Sequence, residues 1–257
     1  MKQRLNYVVS GPENAPVLVL AHGLATDLTM WDDVAVELQR DYRIVRYDSR
    51  GHGRSPIPTQ PFTLEELASD VVTFLDDLQI EKAFFAGLSM GGMVGMTLGL
   101  SSPERLSGLV VCDARGDAPQ AYQDSWSQRI SKVRSEGLAA IVDATIDRWF
   151  TDQFKNRVGA VDAVRQMMMR TSETGYIFSA QALQSLDCTS RLPTLTVPTL
   201  YLVGSEDAGA PPDVMRRMHE LTPNSQFIAI AGAGHISALE QPGPVSQAIA
   251  KFIGGLA

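Results

Sequence analysis

The chain has 257 residues, 44% hydrophobic and 20% charged, enough apolar material for a full core and too few charges for a disordered segment. A net charge of -7 without a basic stripe argues against a nucleic-acid surface. Two cysteines, Cys112 and Cys188, are too few for a disulfide framework and lack metal-ligand spacing, so buried free thiols are expected, with no metal and no cofactor. Residues 1–7 lack the apolar core of a signal peptide and no run reaches membrane-spanning length, so the expected setting is cytoplasmic, without a membrane partner.

Residues 5–10 alternate like a half-buried strand, and residues 11–14 read as a turn. Residues 17–21 form an unbroken apolar run, as in a strand covered on both faces, and lead into His22-Gly23-Leu24-Ala25. Asp27 is placed to cap a helix from about residue 30 to 39, in which Trp31, Val34 and Leu38 recur at helical spacing. Residues 43–47 are the next strand. The glycine-punctuated run 48–55 lacks the lysine of a phosphate-binding loop and reads as a self-bonded turn. Thr63-Leu64-Glu65-Glu66 is a capping box that opens a helix to about residue 78.

An apolar strand at 83–88 then runs into Gly87-Leu88-Ser89-Met90-Gly91 and a helix to about residue 100, stopped by Pro103. Residues 106–112 form a further strand ending at Asp113. From 114 to about 191 strand patterns vanish and helices are expected over 125–134, 138–150, 161–171 and 176–186. Strand patterns return at 199–203, followed by Gly204-Ser205-Glu206-Asp207, a helix over 213–221, a strand over 226–230, Gly232-Ala233-Gly234-His235 and a closing helix over 244–253. Strands alternating with helix-length crossovers call for an α/β fold: a mostly parallel twisted sheet flanked by helices. The expected division is a core of residues 1–113 and 191–257 with an inserted helical cap, 114–190, over the strand ends.

Gly-x-Ser-x-Gly between a strand and a helix is the setting of a nucleophile elbow, although taken alone it also fits an ordinary glycine-containing connection. Chain order adds to it: Ser89, Asp207 and His235 each follow a strand, and in a parallel sheet such loops meet at one edge. Ser89 is then the candidate nucleophile, His235 the base, and Asp207 the carboxylate that orients it. Asp113 also ends a strand, and Glu206 adjoins Asp207, so both compete for the carboxylate role. The amides of Leu24 and Met90 are candidates for an oxyanion hole. His22, directly before a glycine at a strand end, is read as orienting that loop.

Together His22-Gly23, Asp48-x-Arg50-Gly51-x-Gly53-x-Ser55, Gly87-x-Ser89-x-Gly91-Gly92 and Gly232-x-Gly234-His235 resemble the α/β-hydrolase superfamily over nearly the whole chain. Residues 26–31, 87–95 and 126–130 make the chain similar to the 3-oxoadipate enol-lactonases within it, with departures at His22-Gly23 and over 112–119. The resemblance implies hydrolysis of a small-molecule ester or lactone through an acyl-enzyme. A serine at the elbow excludes the branches whose mechanism needs a carboxylate nucleophile. A C–C bond hydrolase, a perhydrolase or haloperoxidase-like enzyme and a small-molecule receptor are the rival readings. Trp31, Arg115, Trp126, Arg129 and Met168 are candidate pocket residues. Core packing for Trp31 and Met168, and a solvated surface position for each arginine, are the ordinary alternatives. Homo-oligomerisation stays open.

Overall fold

The computed structural model describes residues 4–256; residues 1–3, on which the leader expectation partly rests, lie outside that range. Its seven strands are β1 (Tyr7–Ser10), β2 (Val17–Ala21), β3 (Arg43–Tyr47), β4 (Ala83–Leu88), β5 (Leu106–Cys112), β6 (Thr199–Gly204) and β7 (Ser225–Ile230). They form one sheet in the order β1-β3-β2-β4-β5-β6-β7. β1 pairs antiparallel with β3 and every other pairing is parallel. The apolar runs are explained by this placement, since β4, β5 and β6 are covered on both faces and almost every residue in them is buried.

β1 does not alternate as its sequence suggests. Tyr7, Val8 and Val9 are each 40% exposed or more, because the strand lies at the sheet edge with a single neighbour and is left uncovered. No helix among the described residues is long and apolar enough to cross a membrane.

The helices are α1 (Asp32–Leu38), α2 (Leu64–Asp77), α3 (Met90–Ser101), α4 (Gln120–Glu136), α5 (Val142–Trp149), α6 (Asp152–Lys155), α7 (Ala160–Met168), α8 (Glu173–Gln184), α9 (Pro212–Leu221), α10 (Ser237–Glu240) and α11 (Pro242–Gly254). Asp27 caps a single 3-10 turn, Leu28–Trp31, and α1 begins only after it, so the helix expected over 30–39 is two elements. The capping box of α2 is formed in both directions, Thr63 Oγ1 accepting from the Glu66 amide and Glu66 accepting from the Thr63 amide. The segment expected as one helix over 138–150 is likewise a 3-10 turn, Leu138–Ile141, followed by α5, and α6 and α10 are one-turn helices that periodicity did not reveal.

α4 to α8 lie between β5 and β6 and are tied to the rest of the molecule by polar contacts on two sides. Arg170 donates to Asp27 at 2.6 Å, and the Ser172 amide and hydroxyl both donate to the Gly51 carbonyl. There the backbones of Gly51 and Gly175 meet so closely that a Cβ on Gly175 would sit 2.4 Å from the Gly51 oxygen. On the opposite side, the buried Glu240 carboxylate accepts from the Thr151 amide and hydroxyl and from the Gly234 amide. The segment after α5 is thereby held against the loop that carries His235.

Candidate active site

At the end of β4 the chain turns through Ser89 with φ 53° and ψ -113°, a left-handed conformation that costs a non-glycine residue about 1–3 kcal/mol. The turn persists because its neighbours enforce it. The Ser89 amide donates to the Cys112 carbonyl at 2.8 Å, and α3 begins at the next residue. Gly87 and Gly91 let the backbones meet: a Cβ on Gly87 would lie 2.1 Å from the Gly91 oxygen, and one on Gly91 2.3 Å from the Ala21 oxygen. Those distances are the physical reason for the Gly-x-Ser-x-Gly spacing.

The loops after β6 and β7 bring the other two side chains to this edge. His235 Nε2 lies 3.0 Å from Ser89 Oγ, and His235 Nδ1 lies 2.9 and 3.0 Å from the two oxygens of Asp207. With a carboxylate facing Nδ1, the imidazole carries its proton there and leaves the Nε2 lone pair for the serine hydroxyl. Asp207 Oδ1 also accepts from the amides of Gly209 and Ala210 at 2.6 and 2.9 Å. Burial pushes this carboxyl up, but the facing imidazole and those hydrogen bonds more than reverse it and hold Asp207 below the ordinary value. The imidazole itself is positioned by the His235 amide, which donates to the Trp149 carbonyl at 2.7 Å.

The competing carboxylates do not reach His235. Glu206 is exposed. Asp113, fully buried, accepts from the Gly204 amide at 2.7 Å and is bonded to the Ser237 hydroxyl. Burial and the neighbouring Asp207 charge push its carboxyl well above the ordinary value.

Ser89 and His235 open into a cavity of about 290 Å³ between the strand ends and α4 and α5. Leu24 lines it, in a loop pressed against the serine, for a Cβ on Gly23 would touch Ser89 Cβ at 3.5 Å. Met90 opens α3, so its amide has no intrahelical acceptor, as for every first-turn N–H. Both oxyanion candidates therefore stand beside Ser89.

Of the proposed pocket residues, Arg115, Trp126 and Arg129 line the cavity. Trp31 and Met168 do not. Both are 0% exposed within the hydrophobic core, where their side chains are used up in packing.

The surface reading of the arginines is also corrected. The Arg115 side chain is 14% exposed, bonds to Asp117 and lies over the Tyr122 ring. Arg129 lies over the Trp126 ring, and burial draws its guanidinium below the ordinary value. Sequence reasoning missed Arg148, Tyr122 and Trp149, which also line the cavity. Arg148 and Trp149 could have been found from the apolar stripe Val142, Ile146 and Trp149 of α5, beside which an arginine sits at the helix end. The Nε atom of Arg148 and the indole Nε1 of Trp126 are buried and have no hydrogen-bond partner.

Behind the Leu24 loop, His22 Nδ1 bonds to the Gly23 carbonyl at 2.7 Å and its Nε2 accepts from the Ser49 amide at 2.8 Å. His22 therefore orients the loop as a neutral ring. His52 packs against it, with 5.1 Å between centroids. Burial lowers both pKa values, that of His52 to about 3, where the neighbouring His22 adds to the effect.

From its ordinary value of 6.5 downward, the unfolded chain protonates both rings while the folded chain resists. Their stabilisation is thus complete above pH 6.5 and is lost on acidification. For His52, with its folded value of about 3, the loss is about 1.4 kcal/mol per pH unit, and His22 adds in the same direction. Asp113 acts with the opposite sign, since its raised pKa lets the folded form keep a proton to higher pH than the unfolded chain does. It offsets part of that loss. The expected result is a melting temperature that falls from pH 6.5 to 5 and a slope that steepens in Asp113→Asn; a flat profile in calorimetry contradicts this.

A family model described as alpha/beta hydrolase fold matches residues 16–242. The chain is 36% identical to 3-oxoadipate enol-lactonase 1 of Acinetobacter baylyi over 251 residues, covering 97% of this chain and 92% of that protein. Among solved structures it superposes on the enol-lactonase from Burkholderia xenovorans LB400 with a TM-score of 0.93, at 32% identity and covering 97% and 96% of the two chains. A malate-bound thermophilic esterase from Thermogutta terrifontis matches with a TM-score of 0.91, at 34% identity over 98% of this chain and 93% of that one.

Proposed function

The chain belongs to the α/β-hydrolase family, and from that premise we propose that it is a cofactor-free serine hydrolase of carboxylic esters and lactones whose substrates carry a carboxylate of their own, enol-lactones foremost. The observation that carries this reading is the unbroken run Ser89–His235–Asp207, with its serine end in a cavity lined by Arg115, Arg129 and Arg148 and by no acidic side chain among the described residues.

Ser89 Oγ attacks the substrate carbonyl while His235 Nε2 takes its proton, and Asp207 stabilises the imidazolium that forms. The developing oxyanion lies between the Leu24 and Met90 amides, where each fixed donor contributes about 3 kcal/mol to the transition state. His235 then returns the proton to the leaving alcohol. Water, deprotonated by the same nitrogen, releases the acid and restores Ser89. With a lactone the leaving alcohol stays tethered to the acyl group, so the cavity must let it swing away before the ring re-closes.

The substrate carboxylate pairs with Arg129, whose burial makes an unpaired cation costly and an incoming anion correspondingly welcome. The test compares mono-p-nitrophenyl glutarate with p-nitrophenyl valerate, esters of equal acyl length that differ in that charge. The wild type is expected to prefer the glutarate ester and to show an acyl adduct on Ser89 by mass spectrometry. Arg129→Ala is expected to raise KM for the glutarate ester about tenfold, a loss of order 1–2 kcal/mol, relative to the valerate ester. Ligand binding without turnover of esters or small lactones defeats the proposal in favour of a receptor.

A further inference from the structure

Arg129 and Arg148 line a second space as well, a pocket of about 280 Å³ on the outer side of the helical layer. It lies between α4 and α5. Gln128 and Lys132 come from one face of α4, while Ala144 and Arg148 come from the facing side of α5 at the same four-residue spacing. Ala140 and Ala144 are too small to fill the gap between the helices, and that leaves the space. Its lining holds three cations and no acidic side chain.

The acids nearest in sequence are engaged elsewhere, Asp143 with Arg165 at 2.7 Å and Asp147 with Lys155 at 3.6 Å. Among the described residues, Lys132, Arg129 and Arg148 enter no ion pair, and Arg148 Nε is buried without a partner. Three unneutralised cations around one concavity, in a chain whose net charge is -7, set up a local field that draws in an anion.

We propose that this outer pocket is a second anion site, where the carboxylate of a small organic acid rests on its way to or from the Ser89 cavity, with Arg129 and Arg148 as the wall the two spaces share. The inference rests on the carboxylate-bearing substrate argued above and extends it to a route. A carboxylate held by Lys132 and the outer edge of the arginine pair passes to the inner edge without losing a cationic partner on the way. That continuity matters because burying a charge unpaired at the passage would raise a barrier.

The experiment measures steady-state kinetics of mono-p-nitrophenyl glutarate and p-nitrophenyl valerate across ionic strength, in the wild type, Lys132→Gln and Ala144→Trp. Lys132 and Ala144 are both exposed on their helices, so neither change disturbs the core. Lys132→Gln is expected to lower the glutarate-to-valerate ratio of kcat/KM about twofold to fivefold and to flatten its salt dependence, the scale of one partly exposed charge pair. Ala144→Trp, which fills the pocket, is expected to lower the same ratio at all salt concentrations.

A fall in kcat/KM assigns the site to the arriving substrate and a fall in kcat alone to the departing product; either supports the second site. If the wild type prefers the glutarate ester through Arg129 but both outer variants leave kcat, kcat/KM and their salt dependence for that ester unchanged, the outer site is overturned while the proposed function stands. If the wild type has no such preference, both are overturned.

Discussion

Ser89→Ala is expected to lower kcat for every ester or lactone the protein hydrolyses by about 10⁵- to 10⁶-fold while leaving KM close to the wild-type value. The size follows from the geometry. Ser89 Oγ is the atom within hydrogen-bond distance of His235 Nε2, and without it the imidazole has no bound nucleophile to deprotonate. The Leu24 and Met90 amides remain, and binding with such donors still leaves about 10³- to 10⁴-fold over water. The fold should not suffer. Alanine keeps the Cβ that the turn at φ 53° already accommodates, so stability changes by no more than the single lost hydrogen bond, about 1 kcal/mol. Ser89→Gly should be equally inactive but more stable than Ser89→Ala by about 1 kcal/mol, because glycine adopts positive φ freely. Activity within about a hundredfold of wild type in Ser89→Ala, with the melting temperature intact, removes the serine from the chemistry.

How far the sequence carries can be judged residue by residue. The elbow is legible because its constraint is local: Gly87 and Gly91 are needed where a Cβ would strike backbone within 2.3 Å, and such a collision leaves no choice of residue. The meeting of Ser89, Asp207 and His235 is legible because parallel strands all end at one edge, so chain order translates into proximity. Pocket lining is not legible in this way. Trp31 and Met168 are as apolar as Trp126, yet they pack inward, because which face of a helix looks at the cavity depends on how α4 to α8 are docked. That docking is governed by contacts far apart in sequence, Arg170 with Asp27 and Thr151 with Glu240. No periodicity within either partner announces them. The division of two expected helices into 3-10 turns plus shorter α-helices has the same character, since periodicity reports the buried face of a segment but not where its hydrogen bonds change register.

The choice among Asp113, Glu206 and Asp207 turns on hydrogen-bond direction, and it yields the second large effect: Asp207→Asn is expected to lower kcat by about 10⁴-fold, whereas Asp113→Asn stays within a few-fold of wild type. Asp207 Oδ1 accepts from the amides of Gly209 and Ala210, so an asparagine there must point its carbonyl at those two donors. Its NH₂ group then faces His235 Nδ1. A donor at that position demands the lone pair on Nδ1 and moves the proton to Nε2, where it faces Ser89 Oγ and cannot accept the serine's proton. At position 113 the outcome is reversed. Asp113 Oδ1 accepts from the Gly204 amide and Oδ2 from the amide and hydroxyl of Ser237. This carboxyl makes no hydrogen bond to His235, so an asparagine there weakens the contacts to Ser237 but leaves the tautomer of His235 unchanged. Asp113→Asn also removes a carboxyl whose raised pKa costs the folded state stability as the pH rises. For that reason this variant should gain stability toward neutral pH relative to the wild type, while Asp207→Asn should not. Steady-state kcat of the two variants on one ester, with their melting temperatures at pH 5 and pH 7, decides between them: a greater loss of turnover at Asp113 than at Asp207 transfers the orienting role to Asp113.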